Sequence, residues 1–468
     1  MSQTIILGAG PAGLAAAYEL AKAGKQVLVL EKQNQVGGLC RTIERDGFRF
    51  DLGGHRFFTK SEEVQKFWQK ILVDDFLKRP RLSRIYYRKK FFKYPIQMGD
   101  ALKKLGLAES VLSALSLIKV KIKRIFIKKK EVSFEDWVTS RFGERLFNHF
   151  FKSYTEKVWG ISTKELGADW AAQRLKDISL WQVLKSFIFK PKKGKVKSWI
   201  NEFGYPKFGP GQMYEEISKQ IEKMGGEVIL DSEVVGIKHE GGKIKEVIVR
   251  NKRGESETFA GENFIVSLPL TVFLKILEPE IPQEINDLKH KLRFRSFFDV
   301  CLVVNKEKIF PDTWIYVHEP NVKLVRVQNF KNWSPFMTAD KNKTNLAAEY
   351  ICWESDDLWQ KGDDELVELG KKEITQLGLV DLNLIEKGFV IRNSHAYPVY
   401  HLDYQKDLKI IFEYLKGFKN LQLIGRSGMY RYNNMDHSIL TGFYAARNLL
   451  GEKHDVFTVN ADEEYLES

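Results

Sequence analysis

TIILGAGPAGLAAAYELAKAGKQVLVLE, residues 4–31, decides the fold. An apolar run (Ile5, Ile6, Leu7) meets Gly8-Ala9-Gly10-Pro11-Ala12-Gly13. An Ala-rich segment with helical periodicity follows, and a second apolar run, residues 27–30, ends in Glu31. This is a strand–helix–strand unit carrying the dinucleotide fingerprint. Gly8 permits the tight turn, Gly10 lets backbone approach a pyrophosphate, and Gly13 lets the helix pack closely on the strand. The helix's unpaired N–H groups then face the phosphates, and Glu31 is placed to accept from ribose hydroxyls. A Gly-rich turn alone would be a weak signal; with strand, helix, second strand and acid all in place it is a specific one.

Composition bounds the rest of the chain. At 468 residues and 43% apolar composition it can bury a large core divided among two or three domains. The fingerprint starts almost at Met1, and the longest apolar stretch, residues 264–277, is broken by Ser267, Pro269 and Lys275. Neither a signal peptide nor a membrane span is expected. Cys40, Cys301 and Cys352 are odd in number and lack CxxC spacing, which argues against a disulfide framework and fits a cytoplasmic location. No HExxH or CxxC spacing suggests a metal. The net charge of +13 implies an anionic partner without saying which; nucleic acid is not expected.

Behind the fingerprint come Val36-Gly37-Gly38-Leu39-Cys40-Arg41-Thr42 and Phe50-Asp51-Leu52-Gly53-Gly54-His55-Arg56-Phe57-Phe58. Paired glycines beside a nucleotide fold mark backbone that must lie against a flat, bulky ligand. Together these motifs resemble the flavin-binding half of the FAD family that includes amine oxidases, phytoene desaturases, protoporphyrinogen oxidases and UDP-galactopyranose mutases. The resemblance implies noncovalent FAD rather than NAD, with Gly38, Arg41, Gly53 and Gly54 in the flavin bed. Residues 203–213 lead through an amphipathic helix into alternating strands, Val234 among them, which return to the nucleotide domain. Near the end a strand closes on Gly425-Arg426, and a helix is expected over 436–450 with Asp436 or Ser438 as its cap; the resemblance implies that this strand and helix close the flavin site.

The fold class expected is α/β: a discontinuous Rossmann-like FAD domain (residues 1–60, 203–267 and 420–452), an inserted helical domain (98–202) and an antiparallel-sheet substrate domain (61–97 and 268–419). Residues 453–468 form an acidic tail.

Several motifs outside the cofactor fingerprint are similar to UDP-galactopyranose mutases, more to the eukaryotic type, and the match runs over nearly the whole chain. His55, after Gly53-Gly54, resembles that family's histidine beside the isoalloxazine. Tyr94-Pro95-Ile96-Gln97 resembles its uridine-contacting stretch, with Tyr94 and Gln97 as contacts. Lys157-Val158-Trp159 and Trp170-Ala171-Ala172-Gln173-Arg174 resemble the region that supplies one diphosphate-binding arginine. Trp314-Ile315-Tyr316 and Val325-Arg326-Val327 resemble the strands that supply a tyrosine and a second arginine. Tyr397, Tyr432 and Asn434 resemble the remaining substrate contacts, with Trp159 beside them. The resemblance implies a redox-neutral isomerisation in which N5 of reduced FAD is the nucleophile, Arg174 and Arg326 clamp the diphosphate, and His55 tunes the ring. Guanidinium forks suit phosphate oxygens where a lysine would act only as a point charge. The substrate is then a nucleotide sugar of the UDP-galactose kind. A polyprenyl-phosphate sugar is the alternative, since Ile96 stands where the mutases often place an aromatic. The flavin's reductant, NAD(P)H or a reductase, has left no second GxGxxG.

Residues 118–130 (IKVKIKRIFIKKK) carry seven cations and no acid, and residues 187–197 repeat the composition. Wound as a helix, Ile118, Ile122, Ile125 and Phe126 share one face. Two readings stand: solvated basic faces over a domain core, or peripheral contact with an anionic membrane surface at the inner face. For the whole chain three functions stand: a sugar mutase, an oxidase or desaturase of the same FAD family, and a flavin-binding scaffold without turnover.

Overall fold

The computed structural model describes residues 3–127, 130–168, 170 and 202–460. Five parallel strands form one sheet in the order Leu421–Leu423, Asn263–Val266, Thr4–Leu7, Val27–Leu30 and Glu227–Ile229. Thr4–Leu7 and Val27–Leu30 are buried at every position. Helices cover both faces of a sheet of this kind, so its strands read as unbroken apolar runs rather than alternating ones. The helix Pro11–Lys22 packs on it, and the C-terminal helix Met435–Leu449 packs on that helix. A Cβ at Gly442 would lie 2.2 Å from the Ala12 carbonyl oxygen, so only glycine admits this crossing.

Beside this layer stands a seven-stranded sheet in the order Ile385–Pro398, Phe294–Val304, Thr344–Cys352, Arg326–Asn329, Trp314–Val317, Ser83–Tyr87 and Lys90–Lys93. It is antiparallel except where Trp314–Val317 runs parallel to Ser83–Tyr87. A four-stranded sheet built on Ser232–Glu240 and Lys243–Asn251 packs near the nucleotide layer. The fold is thus mixed α/β, a parallel nucleotide-binding sheet with antiparallel sheets beside it.

The helical part begins with Met98–Leu105 and Leu107–Phe126 and continues through Phe134–Phe147 to Ser153–Trp159. Ser133 and Asp136 cap Phe134–Phe147 reciprocally, each side chain accepting from the other's backbone N–H. Two local expectations change. The basic helix stops at Phe126, where Ile127 turns extended, instead of running on to Lys130. The C-terminal helix begins at Met435 with Asn434 as its N-cap residue, so Asp436 and Ser438 lie inside its first turn and do not cap it. Residues 187–197 and Arg174 lie outside the described residues.

Candidate active site

The cofactor bed is built from backbone. Gly8 has φ +100°, and a Cβ there would meet Ser267 Oγ at 2.5 Å; a Cβ at Gly13 would lie 1.9 Å from the Gly8 carbonyl oxygen. Gly38, itself at φ +55°, approaches so closely that its Cβ would stand 3.1 Å from Gly10 Cα. No side chain caps the helix at Gly10, which leaves its first N–H groups for an anion. Glu31 accepts from the Ala9 and Gln33 N–H groups at 2.8 and 3.0 Å, and a carboxylate has lone pairs left for ribose hydroxyls. Arg41 is buried and donates through Nη2 to Asn393 at 3.3 Å, while its Nε is buried without a hydrogen-bond partner among the described residues. Burial lowers its pKa, opposed by Glu31. Gly425, at φ +74°, brings the last strand against Ala12, where its Cβ would lie 3.0 Å from Ala12 Cβ. An uncapped helix end, a glycine cradle and an orphaned guanidinium N–H fit a flavin dinucleotide. Asp436 and Ser438 are buried in the first turn of the closing helix, and Val234 is buried on its strand.

Facing this bed, sheet register lines up four polar side chains. Tyr316 pairs with Arg326, Arg326 with Glu349, and Glu349 with Asp299 across four adjacent strands. Arg326 donates through Nε and Nη2 to one Glu349 oxygen at 2.9 and 2.6 Å, and Gln328 Nε2 donates to the same oxygen at 2.7 Å. Burial works against the charge on Arg326, but Glu349 together with Tyr397, Tyr316 and Tyr154 outweighs it and holds the guanidinium's pKa above its ordinary value. Burial, with Glu349 beside it, pushes the Asp299 carboxyl well above the usual carboxylate range. The Gly53 N–H donates to it at 3.2 Å. A Cβ at Gly53 would touch Arg326 Nη2 at 3.2 Å, and one at Gly54 would meet Trp333 at 3.2 Å. The Gly53-Gly54-His55 loop therefore lies directly on the arginine. Burial, with Arg426 and Arg326 nearby, lowers the His55 pKa to about 4. The ring is neutral: Nε2 donates to the Leu52 carbonyl at 2.8 Å and Nδ1 faces the Cys40 thiol at 3.7 Å.

Half-buried aromatic rings line the remaining side. Tyr94 lies 4.5 Å from Tyr316 and Tyr154 6.2 Å from it, centroid to centroid. Tyr397 stacks on Tyr432 at 5.8 Å, and the Arg426 guanidinium sits 4.6 Å from the Tyr432 ring. Trp159 and Trp170 pack against Tyr432 at 6.3 and 5.1 Å. The structure therefore brings together His55, Arg326, Tyr94, Tyr316, Tyr397, Tyr432, Trp159 and Arg426. Gln97 is exposed at the N-cap of Met98–Leu105, and the Asn434 N–H donates to His437 in the first turn of the closing helix. Sequence reasoning missed Glu349, Asp299 and Tyr154. The two acids sit in apolar strand runs and meet Arg326 only through register, which leaves no local signal. Tyr154 stands next to Lys157-Val158-Trp159 and was legible only as part of a helix.

A family model described as flavin containing amine oxidoreductase matches residues 11–450. The human all-trans-retinol 13,14-reductase is 53% identical over 51 residues, 11% of this chain and 8% of the reductase. An L-amino-acid oxidase from Sistrurus catenatus edwardsii is 32% identical over 118 residues, 22% of this chain and 23% of the oxidase. The chain thus matches less than a quarter of the length of either relative. Among solved structures, a reduced UDP-galactopyranose mutase superposes with a TM-score of 0.83 at 19% identity, over 99% of this chain and 97% of that one.

Proposed function

Because the chain belongs to the flavin containing amine oxidoreductase family and FAD is its cofactor, we propose that it is a flavin-dependent mutase interconverting the pyranose and furanose forms of a nucleotide sugar. One observation carries the reading: the phenols of Tyr94, Tyr154, Tyr316, Tyr397 and Tyr432 and the guanidiniums of Arg326 and Arg426 are gathered beside the Gly53-Gly54-His55 loop. Phenol and guanidinium donors are what a diphosphate leaving group requires. Reduced FAD supplies the nucleophilic nitrogen for displacement at the anomeric carbon. The side chains hold the leaving charge and orient the sugar. Arg326 presents Nη1, the edge not used on Glu349, toward a phosphate oxygen. Tyrosine hydroxyls donate to the other oxygens while their rings exclude water. Arg174 is the second clamp in this reading. Neutral His55, its ring fixed between the Leu52 carbonyl and the Cys40 thiol, adds no charge to the flavin bed.

A second reading has its own observation. Glu349 compensates the Arg326 charge, which suits a less anionic substrate and an oxidoreductase, as the retinol reductase and amino-acid oxidase matches also do. One experiment separates the two. The dithionite-reduced protein is incubated anaerobically with UDP-galactopyranose and UDP-galactofuranose, and the products are separated. Interconversion with the flavin still reduced supports the mutase. Its absence for these and other sugar nucleotides, with flavin reoxidation by an organic acceptor, supports the oxidoreductase.

A further inference from the structure

The helix Leu107–Phe126 turns its polar side inward. Toward the body of the protein it presents Glu109, Ser113 and Ser116. Glu109 pairs with Arg145 and lies 2.7 Å from His149 Nε2, Ser116 Oγ accepts the Arg145 N–H at 3.2 Å, and Ser113 is 2% exposed. Close approach on this side is absolute at Gly143, where a Cβ would stand 2.9 Å from Leu117 N. The opposite face carries Val111, Leu115, Ile118, Ile122, Ile125 and Phe126, each between 51% and 81% exposed. Spaced at three and four residues, they make a continuous stripe about 22 Å long at the ordinary helical rise. Lys119 borders the stripe on one side and Lys121 on the other, with Lys123 beyond Lys119. All three are exposed, and none forms an ion pair among the described residues. After Glu109 the helix holds no acid.

We propose that this face docks on an anionic lipid bilayer, its apolar side chains entering the boundary between headgroups and acyl chains while the lysines meet lipid phosphates. Charge complementarity selects this occupant. A second copy of the chain laid on the stripe would bring two sets of flanking lysines together, whereas an anionic surface neutralises them. The helix lies on the membrane and does not cross it, because among the described residues no helix is long and apolar enough to span one. The inference is independent of the reaction the flavin site performs.

Flotation of the FAD-loaded, full-length protein with vesicles tests it. With vesicles of equal parts phosphatidylcholine and phosphatidylglycerol at low salt, the protein is expected to float. Binding should fall about tenfold on pure phosphatidylcholine, and similarly at about 0.5 M salt, where the Debye length is only a few ångströms. Ile118→Asp with Ile122→Asp should abolish flotation, as should Lys119→Glu with Lys121→Glu and Lys123→Glu, with flavin content and melting temperature unchanged. Protein that stays at the bottom of the low-salt gradient overturns the proposal. So do Asp variants that float as well as the parent, and so does a soluble dimer that the Asp substitutions convert to monomer, since a second copy would then be the occupant.

Discussion

At Gly10 and Gly13, three residues apart, an added methyl group meets different surroundings. At Gly13 it would be driven into the Gly8 carbonyl oxygen at 1.9 Å, whereas at Gly10 its nearest neighbour is Gly38 Cα at 3.9 Å, an ordinary contact. Gly13→Ala is therefore expected to lower the stability of the apoprotein by about 2 kcal/mol or more. Gly10→Ala should leave the apoprotein's melt nearly unchanged and instead reduce flavin retained through gel filtration, because its methyl group points into the cofactor bed. Thermal melts of both apoproteins and the flavin-to-protein absorbance ratio separate the two roles. The same logic of what is left behind applies at Arg326. Removing the guanidinium strands Glu349, 1% exposed in its side chain, so Arg326→Met should cost about 3–5 kcal/mol. Arg326→Lys keeps a charge but loses the fork. Under the mutase reading it should lower turnover by about 30- to 1000-fold with flavin content retained; a loss below about threefold would remove Arg326 from the leaving-group role.

Among the elements, the helix Leu107–Phe126 separates burial from hydrophobicity. Its stability in water comes from polar contacts on the inner face, so Ile122→Asp should change the melting free energy by no more than about 0.5 kcal/mol. Glu109→Ala, which removes the acceptor shared by Arg145 and His149, should cost about 1–3 kcal/mol. The hydrogen bond from Arg145, strengthened by His149, holds the Glu109 carboxyl down at about 2, below its ordinary 4.5. A depressed acid contributes stability that is fully present above its unfolded pKa and lost as pH falls toward the folded one. Acid titration between about pH 4.5 and pH 2 should therefore loosen the packing of this helix on Phe134–Phe147, and Glu109→Ala should flatten that part of the stability profile. Urea melts of both proteins across this range test the sign.

Over the whole molecule, the cofactor bed draws residues from widely separated parts of the chain: Gly10, Arg41, Gly54 and Gly425 belong to four segments that meet only in the folded state. A ligand that binds this arrangement and not the unfolded chain stabilises the fold by mass action. FAD at about 1,000 times its Kd should add about 4 kcal/mol to the apparent stability. Melts of the apoprotein against increasing FAD should show a continuing rise in midpoint with concentration. A midpoint that does not move would mean that the bed is not assembled in the native apoprotein.

The amino-acid sequence by itself determined the nucleotide layer. Residues 4–31 carry strand, turn, helix and acid within one short unit, where local spacing settles geometry, and the glycine pairs at Gly37-Gly38 and Gly53-Gly54 mark the bed because a missing Cβ is visible in any alphabet of residues. It also exposed the apolar stripe of Ile118, Ile122 and Ile125, since helical spacing is local. Which way that stripe faces was decided only in the tertiary structure, because the same amphipathic pattern serves a core or a surface until a neighbour is placed against one side. The partner of Arg326 was decided there too. Glu349 is 23 residues away in the chain, and Asp299 meets Glu349 through the register of Phe294–Val304 on Thr344–Cys352. Register depends on how whole strands settle against one another, and no single residue announces it; the charge balance of the site is therefore a property of the folded sheet.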